Sequence, residues 1–295
     1  MGAVVYLNGQ LVPEEEAKVS VYDHGLLYGD GVFEGIRAYH GRVFRLTQHL
    51  ERLYDSARGV HLTIPLSMAE MEEAVLLTLR ANEAHDAYIR LVVTRGVGDL
   101  GLDPRKCREP TIFCIVGKIQ LYDPAVYVRG LKLITCRTRR TSARALDPSI
   151  KSLNYLNNIL GKVEVVNAGA DEGVMLNEEG HVAECTGDNL FFVKDGGILT
   201  PPPEAGILKG VTRGALIEVA QAKGYAIREE LFKIEELLAA DECFLTGTAA
   251  EIVPATSLDG RRIGNGVSGP VTNDLREGFK ELVAREGTPI GVAAG

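Results

Sequence analysis

Tryptophan is absent from this 295-residue chain, cysteine is sparse, and there is neither a long apolar run nor an excess of basic charge. With no tryptophan, no indole can line a pocket. The five cysteines (Cys107, Cys114, Cys136, Cys185 and Cys243) are odd in number and far apart. They build no disulfide framework and no paired zinc site, and are expected as reduced thiols of a cytoplasmic protein. The six histidines are equally scattered, so no metal is expected. No stretch approaches the roughly 18 apolar residues that span a bilayer, and the amino terminus lacks a basic segment followed by an apolar one, so neither a membrane span nor an export signal is expected. A net charge of -8 and a pI near 5.4 leave no broad basic field, which argues against nucleic acid as a partner.

The composition that remains, 45% hydrophobic and 24% charged, is that of an ordinary globular enzyme. Its length favours two domains sharing a cleft. We expect a domain over residues 1–118, a linker over 119–133 marked by Asp123-Pro124 and Gly130, and a second domain over 134–295 that carries Lys151.

Asn8-Gly9 between apolar runs at 4–7 and 10–12 predicts a type I′ hairpin. Alternation predicts a strand over 32–39 with Phe33, Gly35, Arg37 and Tyr39 on one face and Glu34, Ile36 and Ala38 on the other. Thr47 is expected to cap a helix whose stripe is Leu46, Leu50, Leu53 and Ala57, with Arg52 off the stripe and Gly59 as its stop. Ser67-Met68-Ala69-Glu70 predicts a capping box. A strand over 87–94 sets Tyr88 and Arg90 on one face, where they can act together. The second half predicts strands over 131–137, 173–176, 181–185 and 190–193, helices over 155–167, 212–223 and 273–285, and a frayed tail over 287–295.

Four segments bear on chemistry. Lys151 lies in Ser149-Ile150-Lys151-Ser152-Leu153-Asn154-Tyr155. A lysine that forms a Schiff base must present a free amine, and the ordinary pKa of about 10.4 leaves only about one in a few thousand neutral at pH 7, so burial or a neighbouring cation must intervene. Gly206 to Arg213 precedes an apolar-periodic helix, which offers free N–H groups and a positive dipole end to a phosphate; Thr212 as a simple helix cap explains the same residues. A charge-assisted bond from Arg52 would strengthen such a site. Glu184 ends a strand in an apolar stretch; it is either an exposed strand end or a carboxylate held against a pyridine nitrogen. Leu245-Thr246-Gly247-Thr248-Ala249-Ala250 ends a strand in small residues that let backbone approach a ligand. Gly96-Val97-Gly98-Asp99-Leu100-Gly101 matches a dinucleotide fingerprint, but Pro104 and Pro110 stand where the required helix would run, so the motif is rejected.

In order and spacing, these segments resemble the fold-type IV pyridoxal phosphate enzymes, and most closely the branched-chain amino acid aminotransferases. The marks are Tyr28-Gly29, Val32-Phe33-Glu34-Gly35-Ile36-Arg37, Arg52-Leu53, Tyr88-Ile89-Arg90, Lys151 with Asn154-Tyr155-Leu156, Glu184 with Asn189-Leu190-Phe191, Gly210-Val211-Thr212-Arg213 and Gly247-Thr248-Ala249-Ala250-Glu251-Ile252. The resemblance implies an α+β fold of two domains, a smaller α/β amino-terminal one and a larger carboxy-terminal one with a β-barrel-like sheet. It implies pyridoxal 5'-phosphate as cofactor, with Lys151 as the Schiff-base and proton-shuttling residue, Tyr155 at the phenolic oxygen, and Glu184 at the ring nitrogen. Leu208 would pack on the ring, while Arg52, Gly210, Val211, Thr212, Gly247 and Thr248 would surround the phosphate. Thr248 and Ala249, with Tyr88, would receive the substrate α-carboxylate. Tyr28, Phe33, Gly35 and Arg37 would shape the side-chain pocket, and Arg90 would pair with the distal carboxylate of glutamate. Tyr28 and Leu102 would reach a neighbouring subunit's site, which makes a homodimer the minimum unit.

The implied activity is reversible amino-group transfer between L-leucine, L-isoleucine or L-valine and 2-oxoglutarate. The alternatives are a D-amino acid or (R)-amine transaminase, an aminodeoxychorismate lyase, and a non-catalytic binding protein. D-amino acid aminotransferases carry an Arg-x-His trap where Leu100-Gly101-Leu102 stands, and the lyases lack the Phe33, Gly35, Tyr88 and Arg90 combination. The chain departs from many branched-chain enzymes in having Leu91, not proline, after Arg90, and in having no tryptophan.

Overall fold

Strands whose two faces are both largely buried, β-branched and apolar in composition, build an antiparallel sheet from the first 117 residues. The computed structural model describes residues 2–118 and 122–291. The chain divides into two units, Met1–Ile119 with Ile150–Asn154 and Val283–Gly295, and Gln120–Ser149 with Tyr155–Leu282. Residues 119–121 of the expected linker and 292–295 of the tail lie outside the described residues.

In the first unit the elements are β1 (Val4–Leu7), β2 (Gln10–Pro13), α1 (His24–Tyr28), β3 (Gly31–Tyr39), β4 (Arg42–Val43), α2 (Leu46–Gly59), α3 (Met68–Ala81), β5 (Ala87–Thr94) and β6 (Thr111–Gly117). The sheet runs β4-β3-β5-β6-β1-β2, with the short strand Thr288–Pro289 beyond β4. Asn8 and Gly9 both have positive φ, as a primed hairpin turn requires. Ile89, Leu91 and Val93 of β5 are fully buried and pack with Val32 and Ile36 of β3, Leu50 and Leu53 of α2, and Leu79 of α3. Each such side chain stabilises the unit by roughly 1.5–3 kcal/mol. The capping box of α3 forms as expected, with Ser67 and Glu70 bonded reciprocally.

Two local expectations need correction in this unit. Thr47 does not cap α2: the cap is Arg45, in a left-handed conformation with φ 50, whose guanidinium pairs with Glu286 at 2.9 Å. Helix α2 does end at Gly59, where Ile150 packs so closely that a methyl group would approach its Cδ1 to 2.8 Å. The tail does not fray at once, since Thr288–Pro289 pairs with β4 and Ile290 is buried.

The second unit contains α4 (Val126–Arg129), β7 (Leu131–Thr135), α5 (Leu156–Asn167), β8 (Glu172–Leu176), β9 (Val182–Cys185), β10 (Asn189–Lys194), β11 (Gly197–Thr200), α6 (Val211–Ala222), β12 (Ile227–Glu229), α7 (Ile234–Leu238), β13 (Glu242–Gly247), β14 (Glu251–Leu258), β15 (Arg261–Arg262) and α8 (Pro270–Arg285) up to Leu282, the last residues of α8 being counted with the first unit. The strand predicted over 131–137 thus ends at Thr135. The sheet order is β12-β11-β10-β13-β14-β7-β8-β9, with β15 on β14. In a flat sheet β9 and β10, five strand spacings apart, would stand about 24 Å from each other. The turn that joins them, Thr186 to Asp188, spans at most about 14 Å. The sheet therefore curls into a barrel-like half-cylinder, around Leu133, Val174, Leu190, Leu245 and Val253.

Candidate active site

The candidate residues are distributed over both units. In the first, the two-residue period of β3 puts Glu34 in the core row with Val32, Ile36 and Ala38 and turns Phe33, Gly35 and Arg37 to the opposite face. The Lys151 segment is tied to this strand and to α2. Lys151 N–H donates to Ser56 Oγ (3.0 Å), Phe33 N–H donates to Lys151 C=O (3.1 Å), and Leu153 N–H donates to Gly31 C=O (2.9 Å). These bonds tie Ile150–Asn154 to the first unit, whereas the expected domain over 134–295 after a linker over 119–133 puts Lys151 in the second.

Lys151 Nζ lies 4.5 Å from the centre of the Phe33 ring, and the Arg90 guanidinium lies 4.6 Å from the same ring. Arg90 Nη2 donates to Tyr88 Oη at 2.9 Å, so the two residues that share a face of β5 do interact. Gly35 makes room for them, because a methyl group at that position would overlap the Tyr88 hydroxyl. Arg37 lies over the Tyr39 ring at 4.9 Å. Tyr28 and Leu102 form a separate group: Gly101 N–H donates to Tyr28 Oη (2.9 Å), and Leu102 is 82% exposed.

Arg52, off the apolar stripe of α2, reaches Glu34 with both arms of its fork, Nε to Oε1 at 2.8 Å and Nη2 to Oε2 at 2.7 Å. His49, one turn earlier and also buried, lies with Nδ1 2.7 Å from Glu34 Oε2. Burial by itself would raise the Glu34 carboxyl, but the charge and hydrogen bonds of Arg52, aided by His49, hold it down at about 2. Burial lowers His49, against the pull of Glu34, which suits a neutral ring donating from Nδ1.

In the second unit Glu184, at the end of β9, is buried and not an exposed strand end. Its Oε1 pairs with Arg140 Nη2 at 2.8 Å, and its Oε2 accepts from Leu208 N–H (3.0 Å) and Asn189 Nδ2 (3.1 Å). Asn189 Nδ2 also donates to Leu208 C=O at 2.8 Å. Tyr155 stands at the head of α5. Helix α6 starts from Gly210 with no side-chain cap, so Thr212, inside the first turn and buried, is not the cap. A side chain at Gly210 would overlap Asn189 Oδ1, and one at Gly247 would overlap Asp188 Oδ1; both backbones are closely approached. Thr248 and Ala249 occupy the turn between β13 and β14. Thr246 Oγ1 is buried and has no hydrogen-bond partner among the described residues.

Comparison with known proteins gives both groups a common family. The family described as amino-transferase class IV matches residues 31–258. A Methanocaldococcus jannaschii protein, provisionally named a branched-chain-amino-acid aminotransferase, is 53% identical over 286 residues, covering 97% of this chain and 98% of its own. The chain belongs to the class IV aminotransferases. Among solved structures, the branched-chain aminotransferase of Thermoproteus uzoniensis with norvaline superposes with a TM-score of 0.90 at 39% identity, covering 96% of this chain and 95% of that one. The branched-chain amino acid aminotransferase of Thermobaculum terrenum in its PLP form gives a TM-score of 0.91 at 32% identity, covering 99% of each chain.

Several residues of this aminotransferase that hold the candidate groups in place have no site role in the sequence analysis. Arg140, Asn189, Glu34 and His49 touch residues that do, Asn189 and Glu34 standing there as marks of the resemblance. Glu34 was legible in principle, since the period of β3 already set a carboxylate in a row of core positions, and such a group requires a cation. Arg140 carries no local signal, because it precedes Glu184 in an irregular segment and meets it only through the fold. Among the described residues no cluster suited to a metal is present, and no helix is long and apolar enough to cross a membrane.

Proposed function

We propose that this aminotransferase uses pyridoxal 5'-phosphate to exchange an amino group between branched-chain L-amino acids and 2-oxoglutarate, and that it works as a homodimer. The observation that carries the substrate reading is the Phe33 ring with Lys151 Nζ and the Arg90 guanidinium both against it. An apolar wall beside the amine suits a branched aliphatic side chain, and a cation at its edge suits the distal carboxylate of glutamate or 2-oxoglutarate.

The chain's residues fit the cofactor. The uncapped start of α6 and the orphaned Thr246 hydroxyl are what an anionic, polar ligand would satisfy. Val211, Thr212, Thr248 and Arg52 would hold the phosphate, Arg52 being held in turn by Glu34. Glu184, oriented by Arg140, Asn189 and the Leu208 N–H, would accept the hydrogen bond of a protonated ring nitrogen, with Leu208 against the ring and Tyr155 at its phenolic oxygen. When bound, pyridoxal phosphate supplies a carbonyl that takes up the amino group and a ring that disperses the electrons freed at the substrate α-carbon. Lys151 would take a proton from that carbon at Nζ and return it, while Thr248, Ala249 and Tyr88 fix the α-carboxylate.

The homodimer reading rests on apolar surface. Leu156, Ile159, Leu160, Val163 and Val166 form an exposed stripe along one side of α5, and Tyr22, Leu26, Leu100 and Leu102 make a second set of exposed apolar residues. The latter would present Tyr28 and Leu102 to the partner subunit's site. A matched assay of L-leucine, D-alanine and a chiral amine, each with 2-oxoglutarate, tests the function. L-leucine is expected to be the productive donor; preference for either of the others overturns the substrate assignment. Lys151→Ala is expected to abolish turnover, and steady-state transamination by that variant without added amine would refute the role of Lys151.

A further inference from the structure

Asp188 closes the turn between β9 and β10 and is buried, yet no part of the chemistry above uses it. Its Oδ1 lies against the Gly247 backbone, where any side chain would overlap it. Gly247 opens the turn through Thr248 and Ala249 that is assigned above to an anion. Among the described residues the donor reaching the Asp188 side chain is the Tyr122 hydroxyl, 3.3 Å from Oδ2. That same hydroxyl stands 3.5 Å from Glu172 Oε2 on β8. Glu172 is richly served, by Lys162 Nζ from α5 at 2.8 Å, Gly173 N–H at 2.8 Å, Thr186 N–H at 3.0 Å and the Thr186 hydroxyl. Also near Asp188 are Cys185 and Glu184 on β9, and Glu184 is paired with Arg140. Asp188 is therefore a buried carboxyl with one long hydrogen bond, in acidic company, touching the backbone of the proposed anion turn.

We infer that Asp188 is a positioning residue of the Gly247–Ala249 turn: as the neutral acid it lets the turn receive an anionic substrate group, and as the carboxylate it opposes that anion. The inference rests on the proposed use of this turn. Burial pushes the Asp188 carboxyl up to about 7, the charge of Glu172 adding to the effect while Tyr122 and Lys162 oppose it, so both forms are accessible near neutrality. Linkage is reciprocal, so an anion on the turn raises proton uptake at Asp188, and loss of that proton weakens the anion.

The test is binding of 4-methylpentanoate to the cofactor-loaded enzyme by calorimetry from pH 6 to pH 8.5. This probe has a branched tail, no amine, and a carboxylate ionised throughout the range. The wild type is expected to bind it roughly tenfold more weakly at pH 8.5 than at pH 6. Asp188→Asn, which mimics the neutral acid, should bind with a nearly flat profile and keep its affinity at pH 8.5. Tyr122→Phe, which removes a donor to the carboxylate, should move the midpoint to higher pH. A wild-type profile that coincides with that of Asp188→Asn, or is itself flat, overturns the inference and leaves the proposed function standing. Loaded enzyme that fails to bind the probe at every pH removes the anion role of the turn and the inference with it. Failure to load pyridoxal phosphate on Lys151 overturns the functional reading itself.

Discussion

Arg140 Nη2 and Glu184 Oε1 meet at 2.8 Å with both side chains less than a tenth exposed. A buried carboxylate deprived of its cation is left uncompensated, and breaking such a pair from one side typically costs about 3–5 kcal/mol. Arg140→Met should therefore lower the guanidinium midpoint strongly, and adding Glu184→Gln should recover part of the loss. An unchanged midpoint in Arg140→Met would show that the pair contributes nothing to the fold.

Glu34 makes a pH-dependent contribution whose sign follows from its depressed carboxyl. In the unfolded chain the group titrates near 4.5 and in the folded chain at about 2, so its stabilisation is fully present above about 4.5 and is lost as the pH falls through about 2. The shift corresponds to ~3 kcal/mol. Glu34→Gln should be destabilised by that order at pH 7, and the gap to wild type should narrow in urea titrations at pH 5, 4 and 3. A constant gap across that range would exclude ionisation of Glu34 as its source.

Arg90 and Gly35 separate the two kinds of substrate. Arg90→Met keeps an apolar body but removes the cation, and is expected to raise KM for 2-oxoglutarate by about tenfold or more, equivalent to about 1.4 kcal/mol. The leucine half-reaction, read by single-turnover absorbance, should change by less than about threefold. Gly35→Ala displaces the Tyr88 hydroxyl that Arg90 bonds and should shift KM in the same direction. Equal losses for both substrates in Arg90→Met would remove the distal-carboxylate role.

The stripe on α5 can be tested by charge. Ile159→Glu with Val163→Glu leaves the buried face of the helix, Asn158, Gly161 and Val165, untouched. Wild-type protein is expected to sediment as a dimer or larger, and the double variant as a smaller species. An unaltered sedimentation coefficient would show that this face is not an interface between copies.

What sequence alone determined here was whatever repeats within a few residues. The period of two in β3 and β5 placed Phe33 with Gly35 and Tyr88 with Arg90, and Ser67 with Glu70 announced the start of α3, because these relations are set by backbone geometry that every chain shares. The order of motifs around Lys151, Glu184 and Gly210 was likewise readable as a family likeness. Tertiary structure decided which buried polar groups meet: Arg140 with Glu184 and Arg52 with Glu34 as ion pairs, and His49 with Glu34 and Tyr122 with Asp188 as hydrogen bonds. It also decided that the Lys151 segment docks on β3 and α2. Those partners are distant along the chain, and the low dielectric of the interior, which makes an unpaired charge costly, exists only once the chain has folded around them.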